Sequence, residues 1–205
     1  MKIFLCIPCM DTVNTQFLMS LLQIHSKHEI RYGITACTMI QDARNILAQN
    51  ALTYGYDRIM WLDSDMVVDP DIVDRLSDDL DEGRDFVTGL YFTRREEQKP
   101  VIFEKLWFEE AENGLATPHA DFKMQYEQDS IFRVAGCGFG ACMMRTDVLK
   151  KVIDEYGQPF ALIPGFGEDI SFCTRCGELG IKIYCDSGIK CGHIGTKVFT
   201  ENDYK

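Results

Sequence analysis

The segment Arg58-Ile59-Met60-Trp61-Leu62-Asp63-Ser64-Asp65 joins a strand signal to two carboxylates. Residues 58–62 form a short run without polar and apolar alternation, which is typical of a parallel strand covered on both faces. Asp63 and Asp65 follow directly, so we expect them at the carboxyl end of that strand. Open α/β sheets bind their ligands at this edge. The segment therefore predicts a buried strand with a binding site at its end.

Strand-then-helix patterns lie on both sides of this segment. Residues 2–8 and 30–38 are strand-like. Each is followed by apolar residues at helical spacing, namely Val13, Phe17, Leu21 and Ile24 after the first and Ile40, Ala43, Leu47 and Ala51 after the second. Beyond the segment, Asp69 and Pro70 are expected to be the N-cap and first residue of a third helix that ends near Gly83, and residues 86–92 form a fourth strand. These units predict an α/β fold with a mixed, mostly parallel sheet flanked by helices.

The second half of the sequence is less regular. Residues 99–130 are polar and aromatic, with only 101–103 strand-like, and we expect them to cross the active face. Later residues predict strands at 131–135, 141–145 and 181–185, a helix capped by Thr146, and a helix from residue 167 to Gly177 or Gly180. We expect one domain over residues 1–205, with a ligand-binding half at 1–98 and a second half at 99–205.

Composition and charge exclude several classes of protein. The chain has 205 residues, 46% of them hydrophobic, which excludes disorder. Its 21 Lys and Arg residues against 32 Asp and Glu give a net charge of −11, so nucleic acid is not expected as the main partner. We find neither an apolar run of the ~18 residues that a spanning helix needs nor an export signal. The sequence therefore predicts a cytoplasmic protein without a transmembrane segment.

The nine cysteines offer an alternative function. The pairs Cys6/Cys9 and Cys173/Cys176 are CxxC motifs and could together form a four-cysteine zinc site. However, more than 160 residues separate them, unlike the ligands of a compact zinc ribbon. Reduced thiols that pack in the core are the simpler expectation.

The aspartate pair itself suits a hard divalent cation, because carboxylate oxygens are the preferred ligands of such ions. A cation there would also allow a phosphate to approach an acidic protein. The structural alternative is that Asp63 and Asp65 only cap a turn.

Several motifs, in order along the chain, resemble those of GT-A-fold glycosyltransferases, which use nucleotide-diphospho-sugars. They are Ala43-Arg44-Asn45, Ala51, Gly55, residues 59–65, Val87-Thr88-Gly89 with Arg94, Gly136-Cys137-Gly138-Phe139-Gly140, Gly167-Glu168-Asp169 and Gly192-His193. The sequence departs from the family where Cys37-Thr38-Met39 replaces a frequent acidic signature that contacts the base or ribose.

The resemblance implies a metal-dependent transfer of a sugar from a nucleoside diphosphate donor to an acceptor hydroxyl on a saccharide, protein or lipid-linked molecule, with inversion. It implies that Asp63, Asp65 and His193 hold Mn²⁺ or Mg²⁺, and that Asp169, assisted by Glu168, is the catalytic base. The donor-binding residues implied are Pro8, Arg44, Asp63, Ser64, Asp65, Gly89 and Gly138.

The same residues also have explanations that involve no sugar transfer. Arg44 suits a phosphate or the aspartates, but it also suits a solvated helix surface. Glu168 and Asp169 complement a helix dipole, and the three glycines suit a hairpin turn. Gly192 and Gly195 predict that His193 lies in a loop. A nucleotidyltransferase would also use paired aspartates, but residues 8–13 lack the glycine-rich, basic segment that would hold a triphosphate.

Overall fold

Residues 58–62 form the third strand of the fold, and all five are buried. The computed structural model describes residues 1–36, 38–110 and 116–204. The strands within them are β1 Lys2–Pro8, β2 Glu29–Thr35, β3 Arg58–Leu62, β4 Met66–Val67, β5 Phe86–Leu90, β6 Ile102–Glu110, β7 Ala116–Phe122, β8 Ile131–Val134, β9 Gly136–Cys137, β10 Ala141–Arg145, β11 Ile183–Lys190, β12 Gly192–Ile194 and β13 Val198–Phe199. The helices are α1 Thr15–Gln23, α2 Ile40–Thr53, α3 Ile72–Asp81, α4 Thr146–Tyr156 and α5 Glu168–Glu178, with a 3₁₀ turn at Glu201–Asp203.

The described strands build a central sheet in the order β2-β1-β3-β10-β5-β11-β8. β2, β1, β3, β5 and β11 run in one direction, whereas β10 and β8 run in the other. β10 lies between β3 and β5, so strands from both halves of the sequence alternate in the sheet. The predicted mixed, mostly parallel α/β sheet is confirmed.

The helices cover the two faces of this sheet. α2, α4 and α5 bury apolar side chains such as Leu47, Val148 and Phe172 in one core, which includes Trp61 of β3. α1 and α3 pack on the opposite face, where Phe17 and Leu76 join a second core. Because both faces of the central strands are covered, their sequences lack alternation, as residues 58–62 do.

Two small sheets lie beside the central one. β4, β12 and β13 form the first, and β6, β7 and β9 form the second. The hairpin of β6 and β7 was only partly predicted, because the apolar residues of β6 do not alternate regularly with polar ones and β7 is mostly small or polar. Its cross-strand pairs instead include Trp107, whose ring stacks on His119 at a centroid distance of 5.1 Å.

Local hydrogen bonds shift several predicted boundaries. α3 begins at Ile72 rather than at Pro70, since the Ile72 N–H donates to the carbonyl of Asp69 in a preceding turn. Thr146 does not cap α4, because its hydroxyl donates to the carbonyl of Tyr56 and the N-cap is Arg145. β8 and β10 do not form a hairpin around the glycines, since β8 pairs with β11.

Asp79 on α3 carries an unfavourable buried charge. It is 8% exposed, and its Oδ2 has no hydrogen-bond partner among the described residues. Burial and the charge of Asp186 raise the pKa of Asp79 to about 6. Its ionisation therefore lowers stability progressively as the pH rises from about 4, where the unfolded chain ionises, to about 6.

We expect Asp79→Asn to increase the free energy of unfolding by about 1–2 kcal/mol at pH 8, because it removes this charge. Near pH 4 the carboxyl is neutral in both states, so the variant and the wild type should be close in stability. Urea denaturation at the two pH values measures the difference. A variant less stable than the wild type at pH 8 would contradict an unfavourable charge at Asp79.

Among the described residues, no helix has the length and apolar character needed to cross a membrane.

Candidate active site

Asp63 and Asp65 lie on a tight turn between β3 and β4. The Asp63 N–H donates to the carbonyl of Gly140 at 3.0 Å, and the Met66 N–H donates to the carbonyl of Asp63 at 3.2 Å. The carbonyl of Asp65 accepts from the N–H of Ile194 at 2.7 Å. Backbone contacts with two distant segments therefore hold the turn at the carboxyl end of β3.

Arg44 is a buried cation that joins this turn to α5. Its side chain is 2% exposed, and it donates to Asp63 Oδ1 from Nη2 at 2.8 Å and to Glu168 Oε1 from Nε at 3.0 Å. The rings of Trp61 and Phe139 lie 5.4 and 5.3 Å from its Cζ. Burial opposes the positive charge, but the charges of Asp63 and Glu168 outweigh it and raise the pKa of Arg44. The alternative that Arg44 lies on a solvated helix surface is wrong, and its predicted contact with the aspartates is present at Asp63.

One carboxylate oxygen of Asp65 lies close to two side-chain nitrogen atoms. Its Oδ2 lies 2.7 Å from Arg94 Nη1 and 3.5 Å from His193 Nε2. Burial opposes ionisation, but the hydrogen bond and charge of His193, together with Arg94, lower the pKa of Asp65. The neighbouring Asp63 differs, because burial raises its pKa and the opposite effect of the Arg44 charge does not outweigh it.

His193 is held in a fixed orientation. It lies in β12, not in the predicted loop, because this short strand pairs with β4 and β13. Its Nδ1 is 2.7 Å from the carbonyl oxygen of Phe92. A carbonyl only accepts, so Nδ1 donates its proton to Phe92, and Nε2 is the ring atom that faces Asp65. A hydrogen bond of this kind orients the ring of a metal-binding histidine.

Asp169 lies in the first turn of α5, next to Glu168. Its Oδ1 accepts a hydrogen bond from the N–H of Ile170 at 2.7 Å. Burial, and then the charge of Glu168, raise the pKa of Asp169 to about 6, although Arg44 acts in the opposite direction. The carboxylate is therefore mostly ionised at neutral pH but has a raised proton affinity, which suits a general base.

A cavity of about 240 Å³ opens beside the two aspartates. It lies at the carboxyl ends of β1 and β3 and at the start of α2, and its lining residues are Pro8, Cys9, Met10, Thr38, Ile40, Ala43, Asp63, Ser64 and Asp65. Pro8, Ser64 and both aspartates were predicted as donor-binding residues, and the fold brings them together here. The other lining residues were not predicted, although the meeting of the strand ends could have indicated them. Cys37 is outside the described residues.

Gly89 and Gly138, also predicted as donor-binding, are not among the residues that line this cavity. Gly89 faces β11, where a Cβ would lie 3.0 Å from Ile189 Cγ2. A Cβ on Gly138 would lie 2.0 Å from the phenol oxygen of Tyr91, which accepts from the N–H of Gly140 at 3.1 Å. In this structure both glycines allow close packing: Gly89 against β11, and Gly138 against Tyr91.

The CxxC pairs do not form a metal centre within the described residues. Cys173 and Cys176 are buried on α5, as predicted, and Cys6 is buried in β1. Burial raises the pKa of each of these thiols, which makes them poor metal ligands. In the described part of the chain, no three His, Cys, Asp or Glu side chains are grouped closely enough to hold one ion.

The charges of the site are unbalanced. The carboxylates of Asp63, Asp65, Glu168 and Asp169 lie near the guanidinium groups of Arg44 and Arg94. Counting only the carboxylates and the guanidinium groups, four negative and two positive charges leave an excess of two negative charges. A divalent cation would neutralise this excess.

Comparison with solved structures shows that this fold occurs in other proteins. The chain resembles A197 from STIV, known from a crystal structure, with a TM-score of 0.66 and 21% sequence identity over 95% of this chain and 86% of that chain. The two proteins therefore share a fold along nearly their whole length. No protein-family model matches the sequence, and no curated protein sequence matches it significantly.

Proposed function

We propose that this protein is a metal-dependent glycosyltransferase of the GT-A type, which transfers a sugar from a nucleoside diphosphate to an acceptor hydroxyl with inversion. The observation that carries the proposal is the Asp65–His193 pair, in which Nε2 of the oriented histidine lies 3.5 Å from Asp65 Oδ2, beside a cavity at the strand ends. Imidazole and carboxylate together suit Mn²⁺, and Mg²⁺ is commonly held by one or two carboxylates plus substrate phosphates.

The described residues do not group Asp63, Asp65 and His193 closely enough to hold an ion together, so the donor set would supply two direct protein ligands and substrate phosphates would supply others. Asp65 and His193 would hold Mn²⁺ or Mg²⁺, with Asp63 assisting from its ion pair with Arg44. The ion would supply electrostatic stabilisation of the departing diphosphate. Arg44 opposes the effect of burial on the pKa of Asp63 and fixes the position of its carboxylate.

The other residues act on the two substrates. The cavity lined by Pro8, Thr38, Ile40 and Ala43 would receive the nucleoside, with apolar contacts to its rings. Asp169 would accept the proton of the acceptor hydroxyl as that oxygen attacks the anomeric carbon. Glu168 is engaged by Arg44, so we assign it the positioning of α5 rather than proton transfer.

We expect tight binding of a nucleoside diphosphate to require a divalent ion, because the acidic site repels phosphate on its own. Calorimetric titration with UDP, GDP, CDP and ADP, with Mn²⁺ or with EDTA, tests this. With the preferred nucleotide, chelation should weaken binding at least ~10-fold, which corresponds to about 1.4 kcal/mol.

His193→Ala should weaken the Mn²⁺-dependent binding, since it removes a ligand. His25→Ala is a matched control, because His25 is exposed on the segment after α1. Equal affinity for every nucleotide in Mn²⁺ and in EDTA would contradict a cation at Asp65.

A further inference from the structure

A second cavity adjoins Asp65 through Arg94. It has a volume of about 400 Å³, and the residues that line it include the cations Arg94, Arg95 and Lys197, the acids Glu96 and Asp203, and Gln98. We call it the arginine pocket. Arg94 lines this pocket and also contacts Asp65 Oδ2. The pocket shares no lining residue with the cavity that holds Pro8 and Thr38.

The charge of the arginine pocket is opposite to that of the chain. Three cations and two acids give it a net charge of +1, whereas the whole chain has −11. Lys197 pairs with Asp203, and Arg94 pairs with Asp65. Arg95 is exposed and forms no ion pair with any residue that the structure describes. A positive charge is thus available to a ligand, beside the place where we propose that transfer occurs.

Gln98 gives the pocket a second recognition element. The residue is 8% exposed, and its Oε1 is buried without a hydrogen-bond donor among the described residues. Leaving a buried amide oxygen unsatisfied costs about 1–3 kcal/mol. A ligand hydroxyl next to an anionic group would satisfy it.

We propose that the arginine pocket binds the anionic group of a sugar acceptor, a phosphate or a carboxylate flanked by hydroxyls. Arg95 and Lys197 contact the anion, and Gln98 accepts from a neighbouring hydroxyl. That the ligand is the acceptor rests on the proposed function. The donor's nucleoside has a separate cavity, and Asp65 lies between the two as the site of its diphosphate.

The test uses the full chain without metal or nucleotide and takes glucose 6-phosphate as the probe. Wild type should bind glucose 6-phosphate, and glucose should not bind measurably. Arg95→Ala/Lys197→Ala should weaken binding at least ~10-fold, because it removes two charged donors to the anion. Lys150→Ala/Lys151→Ala removes the same charge from the exposed face of α4 and should match the wild type.

Three results would overturn the proposal. The first is unchanged binding of glucose 6-phosphate by the Arg95/Lys197 double variant. The second is inorganic phosphate binding as tightly as glucose 6-phosphate, since then no sugar is recognised. The third is loss of Mn²⁺-dependent nucleotide binding in that variant, which would assign the pocket to the donor's phosphates. Failure of the wild type to bind any nucleotide with Mn²⁺, while it binds glucose 6-phosphate, would contradict the proposed function alone.

Discussion

Replacing Asp169 with asparagine should reduce sugar transfer by about 10²–10⁴-fold and leave Mn²⁺-dependent nucleotide affinity within about two-fold. The amide keeps the shape of the side chain and its bond from the N–H of Ile170, but it cannot take the acceptor's proton. Steady-state kinetics and calorimetry separate the two effects. Asp147→Asn is the matched control, because Asp147 is an exposed acid in the first turn of α4.

The pH profile provides an independent check on Asp169. Its pKa is raised to about 6 by burial and by the charge of Glu168, so the base is protonated below that pH. Wild-type kcat should therefore rise through pH 6 and level off above pH 7, and this inflection should be absent from the residual activity of Asp169→Asn. A loss of nucleotide affinity with kcat unchanged would place Asp169 at the donor instead. A product with retained anomeric configuration would contradict a single displacement.

Arg44→Met should lower the free energy of unfolding by about 3–5 kcal/mol at neutral pH. The substitution keeps much of the apolar stem but leaves the partly buried carboxylates of Asp63 and Glu168 near each other without their shared counterion. The pKa of Asp63 should rise further without Arg44, so the deficit should shrink as the pH falls and this carboxyl becomes neutral. Arg133→Met, on the exposed face of β8, should change stability by less than ~0.5 kcal/mol.

A double variant tests whether the loss comes from the uncompensated charge. Arg44→Met/Glu168→Gln removes one of the two carboxylates, so it should be more stable than Arg44→Met alone. If the second substitution destabilised Arg44→Met further, the deficit would have to come from lost packing on Trp61 and Phe139. Urea denaturation of the wild type and the three variants gives all the required differences.

The sequence predicted the parts of the fold that depend on local pattern. Residues 58–62 indicated a doubly covered strand, and the carboxylates after it indicated the edge where the site lies. The pairing of β10 between β3 and β5 could not be predicted, because no local property of residues 141–145 specifies their neighbours. A contact of Arg44 with the aspartates was one of the alternatives from the sequence, but its helical position gave no sign that it would be buried or would also contact Glu168.

Other differences have equally specific causes. His193 lies in a strand because its segment pairs with β4. The two flanking glycines predicted a loop, since nothing near them in sequence indicates this pairing. The motif around Gly138 predicted that this residue contacts the donor, but the side chain of Tyr91 occupies the space beside its Cα. Ile40 and Ala43 are ordinary positions of an amphipathic helix, and only the approach of the β1 and β3 ends makes them part of a cavity.

The position of β10 also governs when the protein can fold during its synthesis. Until residues 141–145 have left the ribosome, β3 keeps one edge of unpaired backbone groups and β5 keeps two, because its other neighbour β11 comes later in the chain, and such edges are prone to association with other chains. Residues 1–98 alone therefore leave these strand edges unpaired, even though they carry both aspartates and all the residues that line the cavity beside them. The central sheet is completed only by pairing between residues far apart in sequence, and pairing of this kind makes folding slow. The nascent chain is therefore exposed to aggregation for longer.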